Sequence, residues 1–186
     1  MSMIGRFRAL SPWLLDSLKQ KPGLVYDVLG IPTIFNRHVF EPDAGAAGSL
    51  KEAGFSSDDL CEMLSIEKAW HGVHFLLCGH QDTDHTLLGQ TVLGGREIGE
   101  DLGYGAARFL EPLEVREISA ALAKVGTGEM RGNFDPQKMK SLMIYPGGWD
   151  ENEERNWEWL LDAFVQVKGY YRLAADRGFA MLQYLT

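Results

Sequence analysis

Two cysteines among 186 residues, Cys61 and Cys78, are too few for a disulfide framework. No stretch approaches the roughly 20 apolar residues of a membrane-spanning helix. Basic residues are also scarce: 18 Lys and Arg against 26 Asp and Glu leave a net charge of −8 and a pI near 5.1. That balance repels phosphate backbones and anionic lipid, so neither nucleic acid nor membrane is an expected partner, while a basic protein surface is attracted. The opening MSMIGRFRALSPWLLDSLKQ lacks the apolar run of a secretory signal because Arg6, Arg8, Asp16 and Lys19 interrupt it. A cytoplasmic protein with reduced thiols is therefore expected. Also missing are a G-x-S-x-G elbow, the Lys-Ser/Thr of a P-loop, the H-E-x-x-H pair of zinc proteases and the D-x-[DN]-x-[DN]-G run of a calcium loop.

What remains is ordinary globular composition, 45% hydrophobic and 24% charged, in a length that suits one domain over residues 1–186. The alternation in MSMIGRFRAL predicts a strand, and Phe179 to Leu185, bounded by Gly178, predicts another in the same sheet. Ser11 before Pro12 is an N-cap with proline at the first helical position, opening a helix that ends near Lys21-Pro22-Gly23. Periodicity does not assign the apolar run Leu24 to Leu29. Residues 36–58 are rich in Gly, Ala, Ser and Pro and read as a surface excursion. Trp70, Val73, His74 and Leu77 share one face of a helix closed by Gly79, which leaves residues 79–90 as a loop. Pro112 starts a helix with Val115, Ile118, Leu122 and Val125 on one face. Asp135-Pro136 starts a shorter one that turns Met139, Leu142 and Met143 inward. Asp150 with Glu153 resembles a capping box for a last helix from Glu151 to Asp176, cored by Trp157, Leu160, Leu161, Phe164 and Tyr171.

Two stretches invite chemistry. Four of the five histidines lie between positions 71 and 85, where HQDTDH follows His71, His74 and Cys78. A metal needs three or four converging ligands, but the His71/His74 spacing matches no zinc-protease pair, and His74 sits on the apolar stripe beside Trp70. The segment therefore reads as a solvated loop, with no metal or cofactor expected. The second stretch, residues 91–110, carries Gly94, Gly95, Gly99, Gly103 and Gly105. Gly103-Tyr104-Gly105 begins like G-x-G-x-x-G, yet Arg108 stands where the third glycine belongs. Arg108 either pairs with Asp101 or Glu100 to pin the loop, or helps to hold a small anion in a pocket built from Trp70, His71, Asp101, Tyr104 and Arg108.

Taken in order, Met1 to Leu10, KAWHGVHFLL, VLGGREIGEDLGYGAARFL, FDPQKMKSLMIYPGGW and the tyrosine-rich last helix resemble the YfbM-like family of small bacterial proteins. The resemblance implies an α/β fold, one compact domain with a mixed β-sheet and several packed helices, and brings no catalytic residues because the family is a domain of unknown function. Glu111 replaces the capping Thr or Ser that relatives carry before Pro112, which predicts a weaker cap. The resemblance also implies variation in the 36–58 excursion and the HQDTDH loop, and a context of secreted toxins with cognate immunity proteins. Two readings of function follow. The first is a non-enzymatic protein-binding module, an immunity-type inhibitor of a toxin such as a nuclease, using Asp82, Asp84, His85, Trp149, Glu151 and Glu154 as acidic and aromatic surface contacts. The second is an enzyme or small-molecule binder using the anion pocket at the glycine-rich core.

Overall fold

The structure, a computed structural model, describes residues 2–31, 50 and 54–186. Most of the 36–58 excursion lies outside the described residues. Of its described part, Leu50 and Phe55 are buried rather than surface-lying, and the Phe55 ring packs 4.3 Å from that of Trp13.

Five strands form one sheet in the order β2-β1-β5-β4-β3: β1 is Gly5–Leu10, β2 Leu64–Ser65, β3 Arg96–Asp101, β4 Ala106–Leu110 and β5 Ala180–Leu185. The two terminal strands are neighbours, as their patterns predicted, with Gly5 opposite Leu185 and Leu10 opposite Ala180. The α/β class holds, but every pairing among the described residues is antiparallel, where a mixed sheet was expected. The reason lies in the glycine-rich stretch, which folds back on itself as the β3–β4 hairpin instead of crossing over through a helix.

Helices cover both faces. On one lie α1 (Pro12–Gln20) and α2 (Val25–Leu29), whose Leu14, Leu15, Leu18, Val25 and Val28 meet Ile98, Ala107, Phe109, Leu182 and Tyr184. On the other lie α3 (Trp70–Cys78), α5 (Pro112–Lys124) and the long α8 (Glu153–Asp176), packed on Phe7, Ala9, Leu110 and Met181. The short α4 (Gln90–Leu93), α6 (Thr127–Asn133) and α7 (Pro136–Ser141) complete this second layer. Because successive side chains of a strand alternate, β5 feeds both cores, and Ala180 through Tyr184 are all buried.

Local chemistry places these elements. The Ser11 hydroxyl accepts the Leu14 N–H and donates to Asp59, so it caps α1 and ties it to the Asp59 turn. Glu114 reaches back to the Glu111 N–H at 2.7 Å, which supplies the α5 cap that Glu111 itself was expected to weaken. Asn152, not Asp150, caps α8 by accepting the Arg155 N–H, because Asp150 is held 2.6 Å from the Lys140 ammonium. Met139 points inward as expected, whereas Met143, in the left-handed region at φ 53, is 84% exposed.

One polar chain crosses the second core. Tyr171 donates to the Thr91 carbonyl at 2.9 Å and accepts from the Gln183 amide at 2.7 Å, and Gln183 also donates to the Gln90 carbonyl at 3.1 Å. Removing the hydroxyl strands buried groups on two other elements. Tyr171→Phe is expected to cost about 1–3 kcal/mol, lowering the midpoint by about 2–4 °C per kcal/mol in a chain of this size. Thermal unfolding followed by circular dichroism checks it, and an unchanged midpoint would remove the network's structural role.

Candidate functional site

The end of α3 and the residues after it bring together His74, Cys78 and His80, the one group of three or more His, Cys or carboxylate side chains among the described residues whose donor atoms lie within 4.8 Å of one another. Residues four apart share a helix face, so Cys78 lies one turn beyond His74, and its sulfur is 3.3 Å from His74 Nε2. Gly79 then adopts φ 79 and closes the helix by donating to the Phe75 carbonyl. Only glycine takes that conformation cheaply, and the reversal returns His80 so that its Nδ1 lies 3.9 Å from the same sulfur. The far nitrogen of His80 meets the Asp84 carboxylate at 2.9 Å. Asp84 is fixed in turn by the amide and hydroxyl of Thr86 and by the close approach of Gly89, where any Cβ would collide with it. The Thr86 hydroxyl, ahead of His80, holds this carboxyl below its usual range.

His74 is fully buried and donates through Nε2 to the Asp82 carbonyl at 2.9 Å, leaving Nδ1 without a partner among the described residues. Burial pushes the His74 imidazole down and the Cys78 thiol up, so both are neutral near pH 7. The sequence reading weighed His71 with His74, and it missed that His80 and Cys78 are His74's true companions. The signal was present in the His-x-x-x-Cys spacing followed by Gly-His.

His71 has a different task. Its Nδ1 accepts the Tyr145 N–H at 3.0 Å, which requires the proton on Nε2, and Nε2 donates to the Gln81 carbonyl at 3.1 Å. It therefore straps the HQDTDH loop to the Tyr145–Trp149 turn across α3. Trp70 stacks on it at 4.7 Å and sends its own indole N–H to Met3, making Trp70 a core residue.

The five residues expected to form an anion pocket do not converge. Asp101 accepts the Gly103 and Gly105 amides and so shapes the hairpin turn. Arg108 reaches Glu97 at 3.8 Å across the β3–β4 register and the Leu93 carbonyl at 3.4 Å, rather than Asp101 or Glu100. Tyr104 and Arg108 do line a common cleft with Arg6 and Gln183, but its volume is about 10 Å³, the space of one water. The glycines are architecture here: a Cβ on Gly95 would lie 2.6 Å from the Phe109 carbonyl oxygen.

Of the expected protein contacts, Asp82, His85, Glu151 and Glu154 are exposed and Asp84 is half-buried. Glu154 pairs with Arg131 at 2.9 Å. Trp149 is a correction. It is fully buried, donates to the Ile144 carbonyl at 2.7 Å and packs against Gly72, so it is not a surface group.

The profile of a domain of unknown function, DUF1877, matches residues 1–184. The chain belongs to the DUF1877 family. A crystal structure of YfbM from Escherichia coli, a protein of unknown function, is similar at a TM-score of 0.71 and 19% identity, over 98% of this chain and 99% of that one. At that identity the likeness establishes the fold alone, and the fold is this one. None of the curated proteins matches the chain. No helix among the described residues is long and apolar enough to cross a membrane.

The His71 strap gives this family member a pH dependence. Burial, ahead of the opposing Gln81 bond and Asp82 charge, pushes the imidazole below its ordinary 6.5. The unfolded chain takes up this proton before the folded chain does, so stability is full above 6.5 and falls as pH drops through the lowered folded value. Asp59, Asp84 and Asp150, all held below their usual range, act only further into acid. Urea unfolding from about pH 7.5 to about 5.5 should show the loss, to which the likewise depressed His74 contributes, so His71→Asn should reduce the slope without abolishing it. Equal slopes for the two proteins would separate the effect from His71.

Proposed function

We propose that this chain is a non-enzymatic, cytoplasmic protein-binding module of the immunity type, which neutralises a basic toxin domain, such as a nuclease, by covering its surface. The observation that carries this reading is the His71 strap. It ties together two stretches about sixty residues apart, the HQDTDH loop and the Tyr145–Trp149 turn. In or beside these stretches of the chain stand the exposed acids Asp82 and Glu151 and the residue Met143, which is 84% exposed. Exposed acids suit a basic partner, and Met143 offers an adaptable apolar contact, whereas Trp149, first expected at the surface, is buried. A net charge of −8 speeds the encounter with such a partner. The anion-pocket alternative has less support, because a cleft of about 10 Å³ does not enclose a metabolite.

The test is direct binding to purified products of the neighbouring genes. One of them should form a one-to-one complex whose association rate falls with ionic strength. Asp82→Lys combined with Glu151→Lys should slow that association about tenfold or more, with the thermal midpoint unchanged. A complex indifferent to the double substitution would move the interface elsewhere, and failure of every candidate to bind at nanomolar concentration would overturn the reading.

A further inference from the structure

We propose that His74, Cys78 and His80 bind one zinc ion, or another late first-row divalent cation, at the C-terminus of α3. The three donor atoms, His74 Nε2, Cys78 Sγ and His80 Nδ1, all lie within 4.8 Å of one another. A tetrahedral zinc ion with nitrogen at about 2.0 Å and sulfur at about 2.3 Å sets its ligands roughly 3.3–3.6 Å apart. Two edges, 3.3 Å and 3.9 Å, already stand within a few tenths of that spacing. The third closes by a small rotation of the His80 ring about its hydrogen bond to Asp84, a side chain 42% exposed, while His74 is held by the helix.

The surroundings are those of a ligand set. Asp84 grips the far nitrogen of His80 at 2.9 Å, which fixes the tautomer that turns the Nδ1 lone pair toward Cys78. A carboxylate behind a histidine is the usual orienting partner of a zinc-bound imidazole. Asp84 is itself locked by Thr86, so this support is rigid before any ion arrives. On the other side, the Asp82 carbonyl oxygen lies 2.9 Å from His74 Nε2. When that nitrogen turns its lone pair to the ion, its proton moves to the buried Nδ1, which has no acceptor, a cost that coordination has to exceed, and the Asp82 oxygen swings aside to become a fourth donor. His74 stays neutral through this shift. The thiol of Cys78 gives up its proton, so one proton leaves for each ion bound.

The donor set, one thiolate and two imidazoles, favours zinc, cobalt and copper over magnesium or calcium. Zinc in this position joins α3 to the HQDTDH loop through covalent geometry, a second connection independent of the His71 strap and of any protein partner.

The experiment is a cobalt(II) titration of the chelator-treated protein at about pH 8, above the imidazole range. One equivalent should produce the intense visible bands of tetrahedral cobalt together with a thiolate-to-cobalt charge-transfer band, and zinc should displace both. Cys78→Ser should abolish the charge-transfer band while Cys61→Ser, at the other cysteine, retains it. Asp84→Asn should weaken affinity about 10- to 100-fold with the circular dichroism spectrum unchanged. X-ray absorption of the zinc-loaded wild type gives an answer that needs no variant: one sulfur at about 2.3 Å. Weak octahedral bands with no charge transfer, or a zinc shell of nitrogen and oxygen only, would overturn the proposal.

Discussion

The hydrogen-bonded chain from Gln183 through Tyr171 to Thr91 is the constraint on which the rest of the layer depends. Gln183 sits at 3% exposure in the central strand, with apolar residues before and after it, and a buried amide there is tolerable only if partners await it. Tyr171 on α8 and the Gln90 carbonyl at the start of α4 take up its amide nitrogen, while its Oε1 has no partner among the described residues. The requirement fixes the rotation and axial position of a 24-residue helix against the sheet, which hydrophobic contact alone leaves free to slide. With α8 set, Leu160 meets Gly72 of α3, where a Cβ would lie 2.6 Å from the leucine methyl, so the leucine side chain seats directly on the glycine.

That closeness positions the site. Trp149 fills the same contact, 2.9 Å from the place a Gly72 Cβ would take, and its indole holds the Ile144 carbonyl. The turn from Ile144 to Trp149 is thereby anchored from beneath, and its Tyr145 amide is presented to His71. The strap is thus the outer end of a chain of buried contacts that begins in the central strand. His74 and Cys78 belong to the same rigid helix, while His80 and Asp84 belong to the loop that the strap restrains.

Much of this was legible in the residues. Ser11-Pro12, the stripe of Trp70, Val73 and Leu77 ended by Gly79, and the paired terminal strands carry local signals, and local signals survive folding. The helix at Thr127–Asn133 was not legible, because TGEMRGN has two glycines and a single buried residue, Met130, so tertiary packing overrides its propensity. The hairpin of 96–110 was obscured by its irregular register between Ile98 and Asp101, which breaks the alternation a strand would show. Asp150 matched a capping pattern but found Lys140, a partner that no spacing along the chain reveals. In the site the division is the same. The pairing of His74 with Cys78 is a helix spacing and was there to be read, whereas His71 meeting Tyr145 spans 74 residues and required the fold.

The two histidines one turn apart on α3 show how a single helix separates two tasks. His71 is half-buried and has both ring nitrogens engaged with backbone groups, one accepting and one donating, so it has no lone pair left for any ligand. His74 is fully buried yet has one nitrogen engaged and one idle. A proton shift between its nitrogens exchanges a bond to the Asp82 carbonyl for a bond to an ion, at no change of charge on the imidazole. Burial favours that neutrality, since a charged imidazole at this depth costs desolvation that the Asp82 carbonyl and the Asp84 charge only partly offset. The features that make His74 look like an ordinary core residue, depth and neutrality, are the same ones that suit an imidazole to metal, and it is the sulfur of Cys78 and the returned ring of His80 that distinguish the two.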